Sequence, residues 1–599
     1  MPDRRFRQNQ AEATTMNAIA KPAAQRPKSG SDLIAPDCRG LNFWSIDRSL
    51  RDLLALHLDA AALEHFAPHF ERLGGLAGGR LDELAMQADK RTPILHYRDR
   101  FGRDEDWVEY HPAYREMEKI GFGEFGLHAM SHKPVLGWPT PVTPLVKYAF
   151  QYLFAQAEFA LLCPLSVTDT STMLIQKYAD EAVKRRFVPR MISQDMDTLL
   201  KGAQFMTEKA GGSDVSGNAL TARPAGDHWE LWGDKWFCSC VDHDVVLLLA
   251  RCEGAPAGNA GLSLFAMPRR LDDGSRNRYR AVRLKDKLGS RSMAAGETIM
   301  EGAVAYLLGE QNRGLKQMMD QVNLSRLSHG FRAAGMMRRC LNEALQVARH
   351  RSTFGRTVIE HPMARRQLVK LMLPTEQALT MAVAAAVAMT RGDEGQLRIL
   401  TPMLKYRSCR DNVTVATGAM EMRGGNGYIE DWGNAKLVRD AHLGLLWEGT
   451  SSVNALDIVR RAVGRERAHE ALAEALRKDI ADAPIPGQFR SRIAQLVDRA
   501  VAFADTVARQ PDAEASCRHA ASGLYHTTSA ALMAAEGARL GAQGGDARRL
   551  LLARLVIDHR LVNADPFSLP DHRWEDAVTA RLLDEKVVTL DDAQQLLAG

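Results

Sequence analysis

The sequence predicts a mainly α-helical protein with a β domain inserted into it and an additional helical domain at its C-terminal end. Three observations predict this. Apolar residues recur at helical spacing before and after residues 201–305, that stretch itself changes to short β-type runs, and the end of the chain is again rich in Ala and Leu. At 599 residues the chain exceeds what one core supports. The pattern divides it into a basic tail (1–32), a helical domain (33–200), a β domain (201–312), a helical bundle (313–465) and a further helical domain (466–599).

Each part has its own signal. Residues 1–31 carry six Lys/Arg against two acids and lack the long apolar core of a secretory signal, so they read as a disordered tail. In the first helical domain "SLRDLLALHL" and "VKYAFQYLFAQAEFALL" have helical periodicity. They flank "ILHYRDRFGRDEDWVEYHP" (94–112), which reads as two short strands around a polar turn at Gly102. The β domain is built from "HWELWGDKWFCSC", "HDVVLLLARC" and "GLSLFAMPRR", separated by Gly, Asp and Asn. The bundle opens with one long amphipathic helix, "QMMDQVNLSRLSHGFRAAGMMRRCLNEALQVARHR". A second, "MARRQLVKLMLPTEQALTMAVAAAVAMTR", is expected to kink or break at Pro374. In the last domain "DAPIPGQ" (482–488) and "NADPFSLP" (563–570) read as loops.

Composition excludes several classes. The chain is 45% hydrophobic and 25% charged, ordinary for a globular protein. Apolar runs such as "VVLLLA" and "AVAAAVAM" fall far short of the roughly 20 residues of a membrane span. Eight scattered cysteines form no CxxC pair and no Cys/His set at zinc spacing. A reduced cytoplasmic protein without a structural metal is expected. A net charge of +5 does not call for nucleic acid. No G-x-G-x-x-G follows a strand and no P-loop is present, so a bound dinucleotide would use neither.

Five short stretches carry the chemistry, and each has a bland reading beside the sharp one. "MTEKAGGSDVSGN" (206–218) is a surface loop or a ligand cradle of small and hydroxyl residues. "GDKWFCSC" (233–240) is β core or an aromatic surface for a flat ring. "RHRSTFGRTVIEHP" (349–362) is a solvated helix end or an arginine set for phosphate. "MEMRGGNGYIE" (420–430) joins two helices or presses its backbone against a cofactor. In "LVRDAHLGLLWEGTSSVNALD" (437–457), Glu448 is a helix end or a base whose pKa is raised by apolar neighbours.

Taken in order, these stretches resemble the acyl-CoA dehydrogenase flavoproteins. "MTEKAGGSD" is similar to the family's T-E-x-x-x-G-S-D flavin loop and "GDKWFCS" to its flavin-ring strand; "RSTFG", "RGGNGY" and "LVRDAHLGLLWEGTS" are similar to its R-x-x-F-G, G-G-x-G-[YF] and R-D…[YW]-E-G-T elements. "HYRDRFGRDEDWVEYHPAY" and "LLCPLSVT", with a fourth domain after 465, resemble the AidB-like, alkylation-response branch.

The resemblance implies a helical N-domain, a middle β-barrel and a four-helix bundle, plus the extra helical domain. It implies FAD, with Met206, Thr207, Gly212 and Ser213 holding the isoalloxazine edge and pyrophosphate, Phe237 and Ser239 flanking the ring, and Thr450 and Ser452 reaching the ribityl or adenosine part. Arg351, Phe354, Glu421, Gly424 and Gly425 would serve the FAD of a neighbouring subunit, in a homodimer or homotetramer. Glu448 would take the α-proton of an acyl-CoA thioester while hydride passes to flavin, and an external acceptor would collect the electrons. Ser213, Asn323 and Arg326 would face the substrate.

One departure bears on CoA recognition. The family's D-x-x-R segment is here "NLSR" (323–326), with Arg326 kept and Asn323 in place of the acid. The branch also raises an alternative: a DNA-binding protein of the alkylation response with vestigial dehydrogenase activity. Residues 466–599 hold 16 Lys/Arg against 20 Asp/Glu, a net −4, which disfavours a DNA surface there. Arg548, Arg549, Arg554 and Arg560 are the one candidate stripe, and the basic tail is the other candidate contact.

Overall fold

A computed structural model describes residues 34–563, 565, 567, 571–584 and 586–598. The tail expected over 1–32 lies outside the described residues, as do most of the residues of "NADPFSLP".

Aspartates start the N-terminal helices. The side chains of Asp47, Asp59 and Asp180 accept backbone N–H groups at the heads of Arg48–His57, Ala60–Gly78 and Glu181–Met191, satisfying donors that have no partner within the helix. The expected hairpin forms from β1 (Ile94–Arg98) and β2 (Asp104–Glu109), with Gly102 at φ +77° in its turn. Helices Pro144–Ala155 and Leu162–Tyr178 then pack against the bundle. Between them buried Glu158 accepts the N–H groups of Ala160 and Leu161 at 2.9 and 3.1 Å.

The middle of the chain is a closed barrel with two strands added at its margins. Its strands are β3 (Gly202–Phe205), β4 (Thr221–Ala225), β5 (His228–Ser239), β6 (Val245–Cys252), β7 (Leu262–Pro268), β8 (Tyr279–Leu284) and β9 (Ala295–Leu308). Pairing runs β6–β4–β5–β9–β7 and back to β6, with β3 beside β6 and β8 beside β9. Almost every residue of β6 is buried, because one face fills the barrel and the other is covered by helices. In β5 the register with β9 jumps between Lys235 and Cys238. A bulge of this kind re-aims side chains, and Phe237, inside it, is 54% exposed.

The bundle is built on the 37-residue helix Gly314–His350, Pro362–Arg391, Glu394–Arg423 and Gly433–Leu443. Of the two outcomes expected at Pro374, the break does not occur: Pro362–Arg391 runs unbroken through it. Residues 371–383 are all buried, so tertiary packing on every side outweighs the lost hydrogen bond. This helix is long and apolar enough to cross a membrane, but 83% of its most apolar window is buried inside the protein. It is the core of the bundle. All eight cysteines are free thiols and all are buried.

Among the described residues six α-helices follow, from Ala468–Asp482 to Leu590–Ala598. They are held to the bundle by a buried charge network. Glu376 accepts from Arg338 at 2.5 Å and from Arg549 at 2.8 Å; Arg549 also pairs with Glu536 at 2.9 Å, and Arg338 with Asp47 at 3.3 Å. Burial alone would raise the Glu376 carboxyl, but Arg338 and Arg549 pull it well below the usual carboxylate range. The four arginines read as a stripe therefore share no surface. Arg549 is 1% exposed in this network, Arg548 and Arg554 are 15% and 20% exposed beside Asp546 and Asp558, and only Arg560 is exposed.

Glu376→Gln removes the charge on which two buried guanidiniums converge. We expect a loss of about 3–5 kcal/mol, read as a lower urea midpoint of the purified protein.

Candidate active site

The helix Gly433–Leu443 ends at a turn that returns the chain into the helix Ser451–Leu456. Glu448 sits in that turn at φ +55° and Gly449 at φ +94°. A left-handed glutamate costs on the order of 1–3 kcal/mol and persists only where its surroundings over-determine it. Here they do. Arg326 Nε donates to the Glu448 carbonyl at 3.2 Å, Lys405 Nζ to that of Gly449 at 2.7 Å, and Asn454 Nδ2 to those of Gly449 and Thr450 at 2.7 and 3.0 Å. Arg326 is itself fixed by Asp457 at 2.7 Å and, more weakly, by Asn323 at 3.4 Å.

The carboxylate is held as firmly as the backbone. Ser325 Oγ donates to Glu448 Oε1 at 2.8 Å. Burial pushes the Glu448 carboxyl above its ordinary range, and the Ser325 hydrogen bond, Arg326 and Lys405 only partly offset this. Trp447 stands edge-on to His329 with centroids 5.2 Å apart and stacks toward Phe159 at 6.5 Å, so the acid has aromatic neighbours.

Across from Glu448 lies the loop 206–213. Glu208 shapes it, accepting from Lys235 Nζ at 2.7 Å and from the Ala219 N–H at 2.6 Å. The Trp236 N–H donates to the Thr207 carbonyl at 2.8 Å, and Gly211 takes φ +125°. The loop, β5, the long helix and the Glu448 turn enclose a cavity of about 1180 Å³. Typical small-molecule sites are about 300–1,000 Å³, so there is room for a dinucleotide and part of a second ligand. Eight Lys and Arg side chains line it against four Asp and Glu, which suits phosphates.

The cavity brings together Met206, Thr207, Gly212, Ser213, Phe237, Ser239, Arg326 and Glu448. Asn323, Thr450 and Ser452 are not among its lining residues. Arg351, Phe354, Glu421, Gly424 and Gly425 lie elsewhere. Arg351 follows the far end of the long helix, about 40 Å from Ser325 at 1.5 Å per residue. There Arg351 and Gly425 line a separate cavity of about 290 Å³. A Cβ on Gly424 would lie 3.3 Å from Arg351 Nη1, and Phe354 is 96% exposed. Sequence reasoning missed Lys405 and Asn454, which hold the turn, and His329 and Arg332, which line the cavity. The last two stand four and seven residues after Ser325, so projecting "NLSR" along its helix face would have found them.

FAD fits these residues. The bulge turns Phe237 out as an apolar face beside Ser239, and the glycine-bearing loop opposite leaves its backbone accessible to a ligand. Helices, a closed barrel, a bundle and a half-buried acid facing a dinucleotide-sized cavity define an acyl-CoA dehydrogenase-type flavoprotein. Residues 34–198 match the adaptive response protein AidB N-terminal domain, 203–303 the acyl-CoA dehydrogenase middle domain and 312–463 the acyl-CoA dehydrogenase C-terminal domain. The chain belongs to the acyl-CoA dehydrogenase family, in its AidB-like branch. It is an FAD-dependent oxidoreductase acting on CH–CH groups.

Among its relatives, acyl-CoA dehydrogenase family member 11 of Caenorhabditis elegans is 30% identical over 442 residues, 70% of each chain. The putative acyl-CoA dehydrogenase AidB of Escherichia coli (strain K12) is 31% identical over 411 residues, 66% of this chain and 73% of that one. The structure of C. elegans ACDH-11 in complex with C11-CoA superposes with a TM-score of 0.82 at 24% identity, covering 94% of this chain and 99% of that chain, and so shares the fold.

Asn454→Ala removes the side chain that bonds two carbonyls of the turn. A loss of about 1–3 kcal/mol is expected, with a measurable fall in bound flavin per chain at equal protein concentration.

Proposed function

We propose that this chain removes the α- and β-hydrogens of an acyl-CoA thioester, with Glu448 as the base that takes the α-proton. The observation that carries this is the Glu448 carboxylate, pinned through Oε1 by Ser325 and lining the same cavity as the 206–213 loop and Phe237. Bound flavin supplies the hydride acceptor, and an external acceptor then takes the electrons. The chain supplies the rest. Ser325 fixes one carboxylate oxygen and leaves Oε2 to receive the proton. Among the described residues no protein acceptor takes the Glu448 N–H, which leaves it for the thioester carbonyl, whose oxygen gains negative charge as the α-proton departs. Trp447 and Phe159 keep the site dry.

Met206, Thr207, Gly212 and Ser213 hold the flavin edge and pyrophosphate, and Phe237 and Ser239 its ring. The exposed Phe354, with Arg351, Glu421, Gly424 and Gly425, serves the cofactor of a neighbouring subunit, which makes the working unit at least a dimer. The complex of C. elegans ACDH-11 with C11-CoA supports a CoA thioester as substrate, and eight buried free thiols suit the reducing cytoplasm. The arginine stripe lends the DNA-binding alternative no support, since only Arg560 of the four is exposed; the basic tail lies outside the described residues.

Mixing the yellow holoenzyme anaerobically with an acyl-CoA panel tests this. Glu448→Gln should keep its flavin and slow bleaching at least about 10²–10⁴-fold. A wild-type protein that no chain length bleaches would sink the reading. The pH profile follows from the raised carboxyl. The base works as carboxylate, so the rate falls as pH drops through the raised pKa. Ser325→Ala removes a bond that favours the charged form, so its acid limb should move to higher pH.

A further inference from the structure

The long helix carries Ser325, His329 and Arg332 on one face, and all three line the cavity. Ser325 is used by Glu448; the other two have no such task. Arg332 is 1% exposed, yet its Nε and Nη1 have no hydrogen-bond partner among the described residues. The Phe159 ring centroid lies 5.7 Å from its guanidinium carbon. The groups that act on it electrostatically are Cys163, Glu448, Cys409 and Tyr148, and the one carboxylate among these is already bonded to Ser325. His329 donates from Nδ1 to the Ser325 carbonyl at 2.8 Å, so its buried, unpartnered Nε2 is a bare acceptor. Burial, with Arg332 and Lys405 nearby, keeps that ring neutral.

Elsewhere in this protein buried guanidiniums are matched by carboxylates: Arg338, Arg339 and Arg549 each have two acidic partners. A fully buried guanidinium with no carboxylate bonded to it is a strong penalty in the absence of a ligand. Its planar fork matches a carboxylate in two parallel hydrogen bonds. The side chain stands two turns along the same helix face from Ser325, which grips the Glu448 carboxylate, and lines the same cavity as Glu448.

We propose that Arg332 selects acyl-CoA substrates whose acyl arm ends in a carboxylate over those with a plain alkyl arm. The proposal rests on Glu448 as the base, and its test separates the two. Glutaryl-CoA and adipoyl-CoA are compared with butyryl-CoA and hexanoyl-CoA by anaerobic flavin bleaching. The wild type should favour the carboxylate-tipped pair at least tenfold in kcat/KM. Arg332→Met should reverse that preference with unchanged flavin content and a thermal midpoint no lower than wild type, because it removes an unpaired buried charge. Arg332→Lys, which keeps a charge without the fork, should retain part of it. The same thioesters are titrated into the Glu448→Gln holoenzyme, with and without Arg332→Met. A carboxylate preference in binding that Arg332→Met abolishes supports the assignment even if no thioester bleaches flavin. Equal losses for both substrate classes, loss of flavin, a lowered midpoint, or no binding preference would each overturn it.

Discussion

Three side-chain nitrogens from three helices converge on three successive carbonyls, those of Glu448, Gly449 and Thr450. Arg326 comes from the first bundle helix, Lys405 from the third and Asn454 from the short helix after the turn. Everything proposed for the site depends on this clamp. It holds a glutamate in a backbone conformation that glycine would take more readily, and it sets where the carboxylate stands relative to Ser325. It also ties separate helices to one point, two of them through residues well inside the helix, so the site and the bundle cannot loosen independently.

The same economy of charge runs through the core. The Asp47–Arg338–Glu376–Arg549–Glu536 chain crosses from the N-terminal helices through the bundle to the last domain. A second set joins Asp82, Arg339, Glu343 and Arg423. Such pairs add little net stability over apolar packing, but each is intolerant of losing one member. They act as registration marks between layers. The solitary Arg332 is informative because it breaks this habit.

Much of this was legible in the sequence, for identifiable reasons. The hairpin at 94–109, the long helix and the run of barrel strands announce themselves through local periodicity and turn residues. Glu448 and the 206–213 loop were legible because short motifs kept their order. What was not legible depends on partners far along the chain. Arg326 finds its carboxylate at Asp457, 131 residues on, and not at position 323. Lys405 and Asn454 look like ordinary helix-surface residues until the fold folds a carbonyl onto them. Pro374 misleads because its helix is supported by packing that no local rule sees. The arginines near 548 look like a basic stripe because sequence shows their spacing but not the acids that swallow them.

The left-handed glutamate has an evolutionary reading. If Glu448 is the base, the position that performs the chemistry is one where the backbone itself favours glycine. Selection for a sturdier chain and selection for a working one then pull this codon in opposite directions. A lineage that no longer needed the reaction would be free to relax here first. Here the glutamate is present, in the left-handed conformation and hydrogen-bonded to Ser325.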